Sequence, residues 1–398
     1  MAKKTLDDLP DLHGKCVLVR VDFNVPLDAA GNITNDRRIR AALPTFKHIL
    51  DAGGSVILMT HLGRPKGDAK KDTPFKLDHV AERLHQLLGA PVQKMNEVVG
   101  PRVEAAAKAL QPGKVLVLEN LRFHPGEQAG DSQFAAQLGR LADVYVNDAF
   151  GTCHRSDASM VAVPAAMQGK PRVVGKLLAK ELEILDRLVS SPKRPFVAIL
   201  GGAKVSDKIG FIKSLLKRVD RVLIGGAMTY TFMKAQGKGI GNSKAEADKL
   251  DVARELLKLG QDKIVLPVDH LIVERLDTAD TKVGEGAIPD GWIGMDIGPK
   301  TIERYRKEIG KAGTVVWNGP LGKYEDKLFS QGTRSIAEAL AASKAVTVVG
   351  GGETAEAVES FDLAEKMTHV STGGGAFLEY VEGTPFPALA QIDERKSP

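Results

Sequence analysis

Towards its C-terminal end the chain reads "VTVVGGGETAEAVESF", residues 346–361: a β-branched run, three glycines, the acid Glu353 and then a helical pattern. Glycines between a strand and a helix let main-chain N–H groups close on a phosphate. An acid at that point fits a nucleotide that brings magnesium, a hard cation that takes one or two carboxylates beside phosphate oxygens. It equally fits a first-turn carboxylate that complements the helix dipole.

Further glycine turns follow β-branched runs at 201–202, 225–226, 319 and 373–375, all in the second half of the chain. None has a familiar nucleotide fingerprint. "GGAKVSDK" lacks the P-loop spacing, and no G-x-G-x-x-G opens a strand–helix unit, so a P-loop NTPase and an ordinary dehydrogenase are disfavoured. Lys204 and Lys208 lie four apart, which on a helix start gives them one face, on a ligand or simply in solvent.

The first half has a different inventory at its strand ends: Asp22, Asn24, His61, Arg64, Arg122, His124, Asn147, Asp148, His154 and Arg155. Arginine forks pair bidentately with phosphate or carboxylate. His61 is either a hydrogen-bonded structural residue or, beside Arg64 in "HLGRP", a ligand. Arg37, Arg38 and Arg40 open a helical pattern in "NDRRIRAALP"; at most one of them is expected to reach a ligand, the others forming a solvated face. One half thus offers side-chain cations and the other bare backbone amides. Two anions bound in these two ways point to phosphoryl transfer.

Short β-branched runs alternate with helical patterns of ten or more residues throughout, which argues for an α/β fold with parallel sheets covered on both faces. Ligands of such sheets bind outside the carboxyl ends of the strands, where the residues above stand. Between the halves lies "GKLLAKELEILDRLVSSPKRP", in which Leu177, Leu178, Leu182, Leu185 and Leu188 are spaced for one helix that ends in a Ser-Ser-Pro breaker. The expectation is two doubly wound, Rossmann-like parallel-sheet lobes, 1–175 and 191–379, joined by a connecting helix over 176–190.

A length of 398 residues is too great for one ordinary core and supports the two lobes. Hydrophobic content of 43% with 26% charged residues is that of a globular protein, and no apolar run reaches the roughly 18 residues of a membrane span. "MAKKTLDDLP" has no apolar stretch behind its lysines, so no secretory signal is expected. The two cysteines, Cys16 and Cys153, are too few for a disulfide framework and fit a reducing, cytoplasmic setting. A net charge of +5 with 5% aromatic residues is too slight a footprint for nucleic acid and suits a small anionic ligand.

Ten ordered segments give the chain a family likeness: "RVDFNVPL", "RIRAALPT", "THLGRP", "ENLRFHPGE", "VNDAFGTCHR", "LGGAKVSDKI", "IGGAM", "WNGPLG", "GGGETA" and "HVSTGGGAFLEYVEG". From end to end it resembles the phosphoglycerate kinases. The resemblance implies reversible, magnesium-dependent phosphoryl transfer between ATP and the carboxylate of 3-phosphoglycerate, giving 1,3-bisphosphoglycerate and ADP. It implies Asp22 and Asn24 at the substrate's hydroxyl and carboxyl region, and Arg38 at the transferring group. His61, Arg64, Arg122 and Arg155 would hold the phosphate that stays. Lys204 and Lys208 would follow the nucleotide phosphates beside Gly202, while Asn318 and Glu325 contact the nucleotide, with Glu325 at the ribose. Gly350, Gly351, Gly352, Glu353 and Thr354 would form the phosphate and metal site, with Glu353 the metal ligand, and Gly373, Gly374 and Gly375 would face the transferring group. A tail over 380–398 is expected to pack back on the first lobe. Hinges are expected at the ends of the connecting helix and at 371–380, in a protein acting as a monomer.

Three places, four residues in all, depart from the family pattern: Glu353 replaces the common Asp, Asp157 stands where His is frequent, and Lys323 and Tyr324 replace Val-Phe. Two rivals stay open at this point. One is a kinase of another small phosphorylated acid; the other is a two-lobed binding protein without turnover.

Overall fold

The computed structural model describes residues 2–68, 70–277 and 280–395. The chain folds as two compact units, one made of the residues up to Glu183 together with those from Pro385 onward, the other of Ile184–Thr384. The first unit is built on six strands: β1 (Cys16–Val21), β2 (Ser55–Met59), β3 (Val92–Lys94), β4 (Val115–Val117), β5 (Val144–Asp148) and β6 (Arg172–Val174). They lie in the order β3-β4-β2-β1-β5-β6, every neighbouring pair parallel. Because helices cover both faces, the central strands are apolar at almost every position rather than at alternate ones. Val17, Leu18, Val19 and Val21 are fully buried, as are Val56, Ile57, Leu58 and Met59. The chain winds outward from β1 through β2 to the far edge and returns to place β5 on the other side of β1.

The second unit repeats this plan with β7 (Phe196–Leu200), β8 (Arg221–Ile224) and β9 (Ile264–Val265), then β13 (Thr314–Asn318), β14 (Val346–Gly350) and β15 (His369–Val370). Their order is β15-β14-β13-β7-β8-β9, again all parallel, so the winding reverses between β7 and β13. Inserted between the two halves of this sheet is a small antiparallel sheet of β10 (Asp269–Val273), β11 (Lys282–Glu285) and β12 (Ile293–Ile297), in the order β11-β10-β12. The parallel α/β expectation holds for both main sheets. The antiparallel sheet was not expected, nor were the three-residue strands β3 and β6, which are too short to show a pattern. In β11 three of four residues are exposed, so "KVGE" carries no hydrophobic alternation to read.

A single helix, Lys176–Ser190, matches the span read from its leucines, and Leu178, Leu185 and Leu188 are buried. Its first turn is fastened within the first unit. Lys176 N donates to Thr45 Oγ1 at 2.8 Å and Leu178 N donates to Asp148 Oδ1 at 3.0 Å. Close by, the last residues of the chain run beside β6: Arg172 grips Asp393 Oδ1 through Nε at 3.1 Å and Nη2 at 2.7 Å, and Lys4 N donates to Asp393 O at 2.8 Å. Phe386, 6% exposed, packs its ring 6.0 Å from that of Phe150.

Asp148 is fully buried, and its Oδ2 has no hydrogen-bond partner. Burial raises its carboxyl from the ordinary 3.8 to about 7, against the lowering effect of bonds from Thr45 and the Leu178 and Leu177 backbone. A folded-state pKa above the unfolded one stabilises the protein fully below pH 4, and the contribution is lost as pH rises through 7; three units correspond to on the order of 4 kcal/mol. Asp148→Asn keeps an acceptor for Leu178 N and cannot ionise. Urea denaturation from pH 4 to 8 should therefore show the parent losing stability relative to the variant as pH rises. A constant difference across that range would refute the buried neutral acid.

Candidate active site

All strands of each main sheet point the same way, so the loops after them gather along one edge. In the first unit that edge collects the cations. Arg38, in the opening turn of helix Arg37–Asp51, forms an ion pair with Asp22 after β1. Burial alone would raise the Asp22 pKa, but the charges of Arg38 and Arg20, with the backbone N–H of Asn24, outweigh it and lower the group to about 2. His61 follows β2 and is 1% exposed; burial lowers its pKa well below the ordinary range, Arg20, Arg122 and Arg155 act the same way, and Asp22 opposes them. The ring is therefore neutral at physiological pH.

Arg122 is placed by backbone geometry. Asn120, fully buried after β4, accepts from Arg122 N at 3.1 Å and Leu62 N at 3.2 Å, and donates to Leu62 O at 2.8 Å and Phe75 O at 2.9 Å. Arg122 Nη1 then reaches Gly63 O at 2.6 Å, while its buried Nε has no hydrogen-bond partner among the described residues. Asn24 holds the other side of the same turn, accepting from Gly63 N at 2.8 Å. Asp22, Asn24, Arg38, His61, Arg122 and Arg155 thus form one neighbourhood. Arg64, on the same loop as Gly63, is exposed, and among the described residues no hydrogen bond or ion pair joins it to them. Asp157 adds a carboxylate whose charge supports Arg122 in its charged form. Of the three helix-opening arginines, Arg38 faces this group and Arg40 pairs with Asp36 at 2.8 Å.

In the second unit the glycines divide into two kinds, where the sequence reading had treated them as one. At the reversal between β7 and β13 the main chain is packed against itself. Gly201 N donates to Asn318 O at 2.9 Å, Gly202 N to Pro320 O at 2.8 Å, and Gly226 N to Leu321 O at 2.9 Å. A Cβ on Gly201 would stand 2.0 Å from Pro320 O, and one on Gly319, at φ +93, would stand 2.3 Å from Gly201 O. These amides are not bare; they close the floor of the site. Gly202 contributes room instead, since a Cβ there would come 3.4 Å from Lys208 Nζ.

The second kind opens helices. Gly351, at φ +92, turns the chain out of β14 into helix Gly352–Ser360, and Gly374 does the same for helix Gly375–Glu382; neither helix has a side-chain N-cap. Their first N–H groups have no intrahelical partner and present a partial positive charge to an anion. The first of these helices already includes Glu353, which the sequence pattern had placed ahead of it. Thr354 is fully buried and accepts from Gly319 N at 2.6 Å, while Asn318 Nδ2 donates to Gly350 O at 2.9 Å, so the two residues tie the turns after β13 and β14 together. A Cβ on Gly350 would meet the Phe377 ring at 2.4 Å, which sets the second helix against the same edge.

Glu353 is exposed in the first helical turn. Burial lowers the pKa of Lys208, and the nearby Glu353 carboxylate works against that shift. Lys204 and Lys208 do not share a helical face. The side chain of Glu246 takes Val205 N at 2.6 Å, Ser206 N at 3.1 Å and Ser206 Oγ at 2.5 Å, holding the segment in a tight turn so that the helix starts only at Ile209. Lys204 is left exposed ahead of that turn. Glu325 is exposed next to the buried Tyr324, whose hydroxyl is kept protonated by burial and by the charges of Glu356, Glu325 and Glu353. Among the described residues no group of three or more His, Cys, Asp or Glu could hold a metal. A cation at Glu353 would therefore need phosphate oxygens as further ligands, which is how magnesium usually sits.

Sequence reasoning missed Arg20, Ser159, Glu127 and Asn120. For Arg20 a signal existed: "CVLVRV" has one charge in a strand that must be apolar on both faces. A charge there survives only with buried partners.

A family model described as phosphoglycerate kinase matches residues 6–384. The phosphoglycerate kinase of Rhodopirellula baltica is 53% identical over 398 residues, covering 99% of this chain and 100% of the relative. That of Moorella thermoacetica is 51% identical over 400 residues, with the same coverage. Among solved structures, phosphoglycerate kinase from Coxiella burnetii superposes with a TM-score of 0.85 at 39% identity, covering 98% of each chain.

The closed floor of the second unit gives a direct test. Gly201→Ala should lower stability by about 3 kcal/mol, because the added carbon meets carbonyl oxygens that are themselves hydrogen-bonded and cannot retreat. Denaturant titration of the variant checks it; a loss below 1 kcal/mol would mean that the crossing of the two turns is loose.

Proposed function

The chain belongs to the phosphoglycerate kinase family and transfers a phosphoryl group between ATP and 3-phosphoglycerate, and from that premise we propose how its two edges divide the reaction. The single observation that carries the proposal is the contrast between them: clustered guanidinium groups after the strands of the first unit, uncapped helix N-termini after β14 and β15 of the second.

The first unit takes 3-phosphoglycerate. Arg122, Arg155, Arg64 and the neutral His61 bind its phosphate, and the unpartnered Nε of Arg122 and the exposure of Arg64 leave donors for it. Asp22 and Asn24 orient its hydroxyl and carboxylate. The second unit takes the nucleotide. The N–H groups of Gly352 and Glu353 and the Lys204 and Lys208 ammonium groups receive its phosphates beside Gly202, Gly350 and Gly351. Thr354 and Asn318 hold those turns in place, and Glu325 reaches the ribose.

The acceptor carboxylate is ionised at neutral pH and needs no general base. One of its oxygens bonds to the γ-phosphorus as the bond to the β–γ bridging oxygen breaks, and ADP leaves with that electron pair; the reverse step regenerates ATP. What opposes the reaction is the meeting of two anions, so catalysis consists of positioning and charge compensation. Arg38 leaves Asp22 for the transferring group, joined by Lys208 and the amides of Gly374 and Gly375. Glu353 is the protein's ligand for magnesium, which when bound offsets the charge of the nucleotide phosphates. No site residue has to come from a second copy, in keeping with a monomer. The free cysteines Cys16 and Cys153, whose thiols burial pushes upward, accord with a reducing cytoplasm.

The decisive experiment follows ADP release from ATP, with hydroxylamine trapping the acyl phosphate. Turnover should require both 3-phosphoglycerate and magnesium; ADP release indifferent to 3-phosphoglycerate would overturn the substrate assignment. Arg38→Ala should lower kcat by about 10²–10³ with unchanged circular dichroism, and a variant within twofold of the parent would remove Arg38 from the transfer step. Glu353→Gln should raise the magnesium concentration for half-maximal rate about tenfold, the loss of one charged ligand; an unchanged requirement would leave Glu353 only its electrostatic part in the first helical turn.

A further inference from the structure

Behind His61 runs a chain of buried polar side chains that the reaction does not touch. Arg20 has no exposed surface and donates from Nε to Ser159 Oγ at 2.7 Å and from Nη1 to the Val21 carbonyl. Its Nη2 lies 3.2 Å from His61 Nδ1. Ser159 in turn donates its hydroxyl to Glu127 Oε1 at 2.6 Å and its backbone N–H to Oε2 at 2.9 Å. The same Oε1 is 3.9 Å from Arg20 Nη2, and both charged side chains are fully buried. The serine hydroxyl thus accepts from one partner and donates to the other, which commits its only proton.

A guanidinium has five N–H donors and no lone pair. Its contact with His61 can be a hydrogen bond only if Nδ1 accepts, and a neutral imidazole whose Nδ1 accepts carries its proton on Nε2. We propose that Arg20, clamped by Ser159 and Glu127, is a positioning residue that fixes His61 as the neutral Nε2–H tautomer, so that the ring offers an uncharged N–H to the phosphate of 3-phosphoglycerate. The inference rests on the reading of His61 as a phosphate contact. It also goes further: protonation of Nδ1 would set two N–H groups head to head, so the ring stays neutral when the substrate is bound. Of the charges around the ring, those of Arg20, Arg122 and Arg155 favour the same neutral state, together with burial, and that of Asp22 opposes them.

The tautomer can be read directly by nitrogen NMR on the full chain labelled at histidine, with the His61 signals identified by their loss in His61→Gln. The expected pattern is a protonated Nε2 and a bare Nδ1, unchanged from pH 6 to 8 and on addition of 3-phosphoglycerate. A protonated Nδ1 under any of these conditions would overturn the proposal. For function, Arg20→Met is combined with Glu127→Gln so that neither buried charge is stranded. This variant should raise KM for 3-phosphoglycerate about tenfold, the worth of one charge-assisted hydrogen bond, with kcat within about threefold. It should also acquire a KM that depends on pH between 6 and 8. Ser159→Ala, which keeps both charges, should show a smaller rise of the same kind. If His61→Gln raises KM while the double variant matches the parent in KM and pH profile, Arg20 does not position the ring and the phosphate contact stands. If His61→Gln itself leaves KM unchanged, the phosphate contact is wrong and the purpose assigned to Arg20 falls with it.

Discussion

Parallel pairing in both six-stranded sheets puts every following loop on one edge, and whatever either unit binds must be met there. The substrates of phosphoryl transfer are multiply charged anions, and in the proposed sites the two units offer the opposite charge by different physical means. In the first, four guanidinium groups and a histidine converge on a few loops. Their mutual repulsion is held in check by the carboxylates of Asp22 and Glu127 and is relieved further when an anion arrives. That is preorganisation in the electrostatic sense: donors already in place need no rearrangement when charge appears. In the second unit the charge comes from helix ends, with two lysines beside them.

The density of cations in the first unit depends on groups that never meet solvent. A buried arginine and glutamate taken singly would be costly, and as a pair the Coulomb attraction only about offsets their desolvation. Such an arrangement is hard to justify as a source of stability. Its use lies in direction: Arg20 has Nε and Nη1 tied to Ser159 and the Val21 carbonyl, so its remaining nitrogen is held between His61 Nδ1 and Glu127. Asn120 plays a comparable part for Arg122, fixing a turn through four hydrogen bonds so that a flexible side chain starts from a rigid base.

Much of this was legible in the sequence because the two signals involved are strong. Short β-branched runs between helical patterns marked β1, β2, β4, β5, β7, β8, β13 and β14, and the leucine spacing marked helix Lys176–Ser190. What could not be read was of two kinds. The strands β3 and β6 and the mostly exposed β11 have too few apolar positions for periodicity to stand out from chance. Contacts between distant segments were equally hidden: Glu246 lies some 40 residues beyond the turn it rewrites at Val205–Ser206, and the backbone crossing at Gly201 and Gly319 joins strands more than a hundred residues apart. Glycine count could not tell an amide that is free from one already donating.

The floor built where β7 and β13 diverge has a consequence for how the nucleotide site can change. Two turns cross there so closely that not even a methyl group fits, and their amides are bonded to each other. At Gly201, Gly226 and Gly319 no side chain can be written into that surface, so selection has little to vary there. If the nucleotide binds over this floor, as proposed, drift in the preferred base, in the metal or in affinity falls to residues beside it such as Lys323, Glu325 and Glu353, which are exposed. Two of these, Lys323 and Glu353, are positions at which this chain differs from the common family pattern.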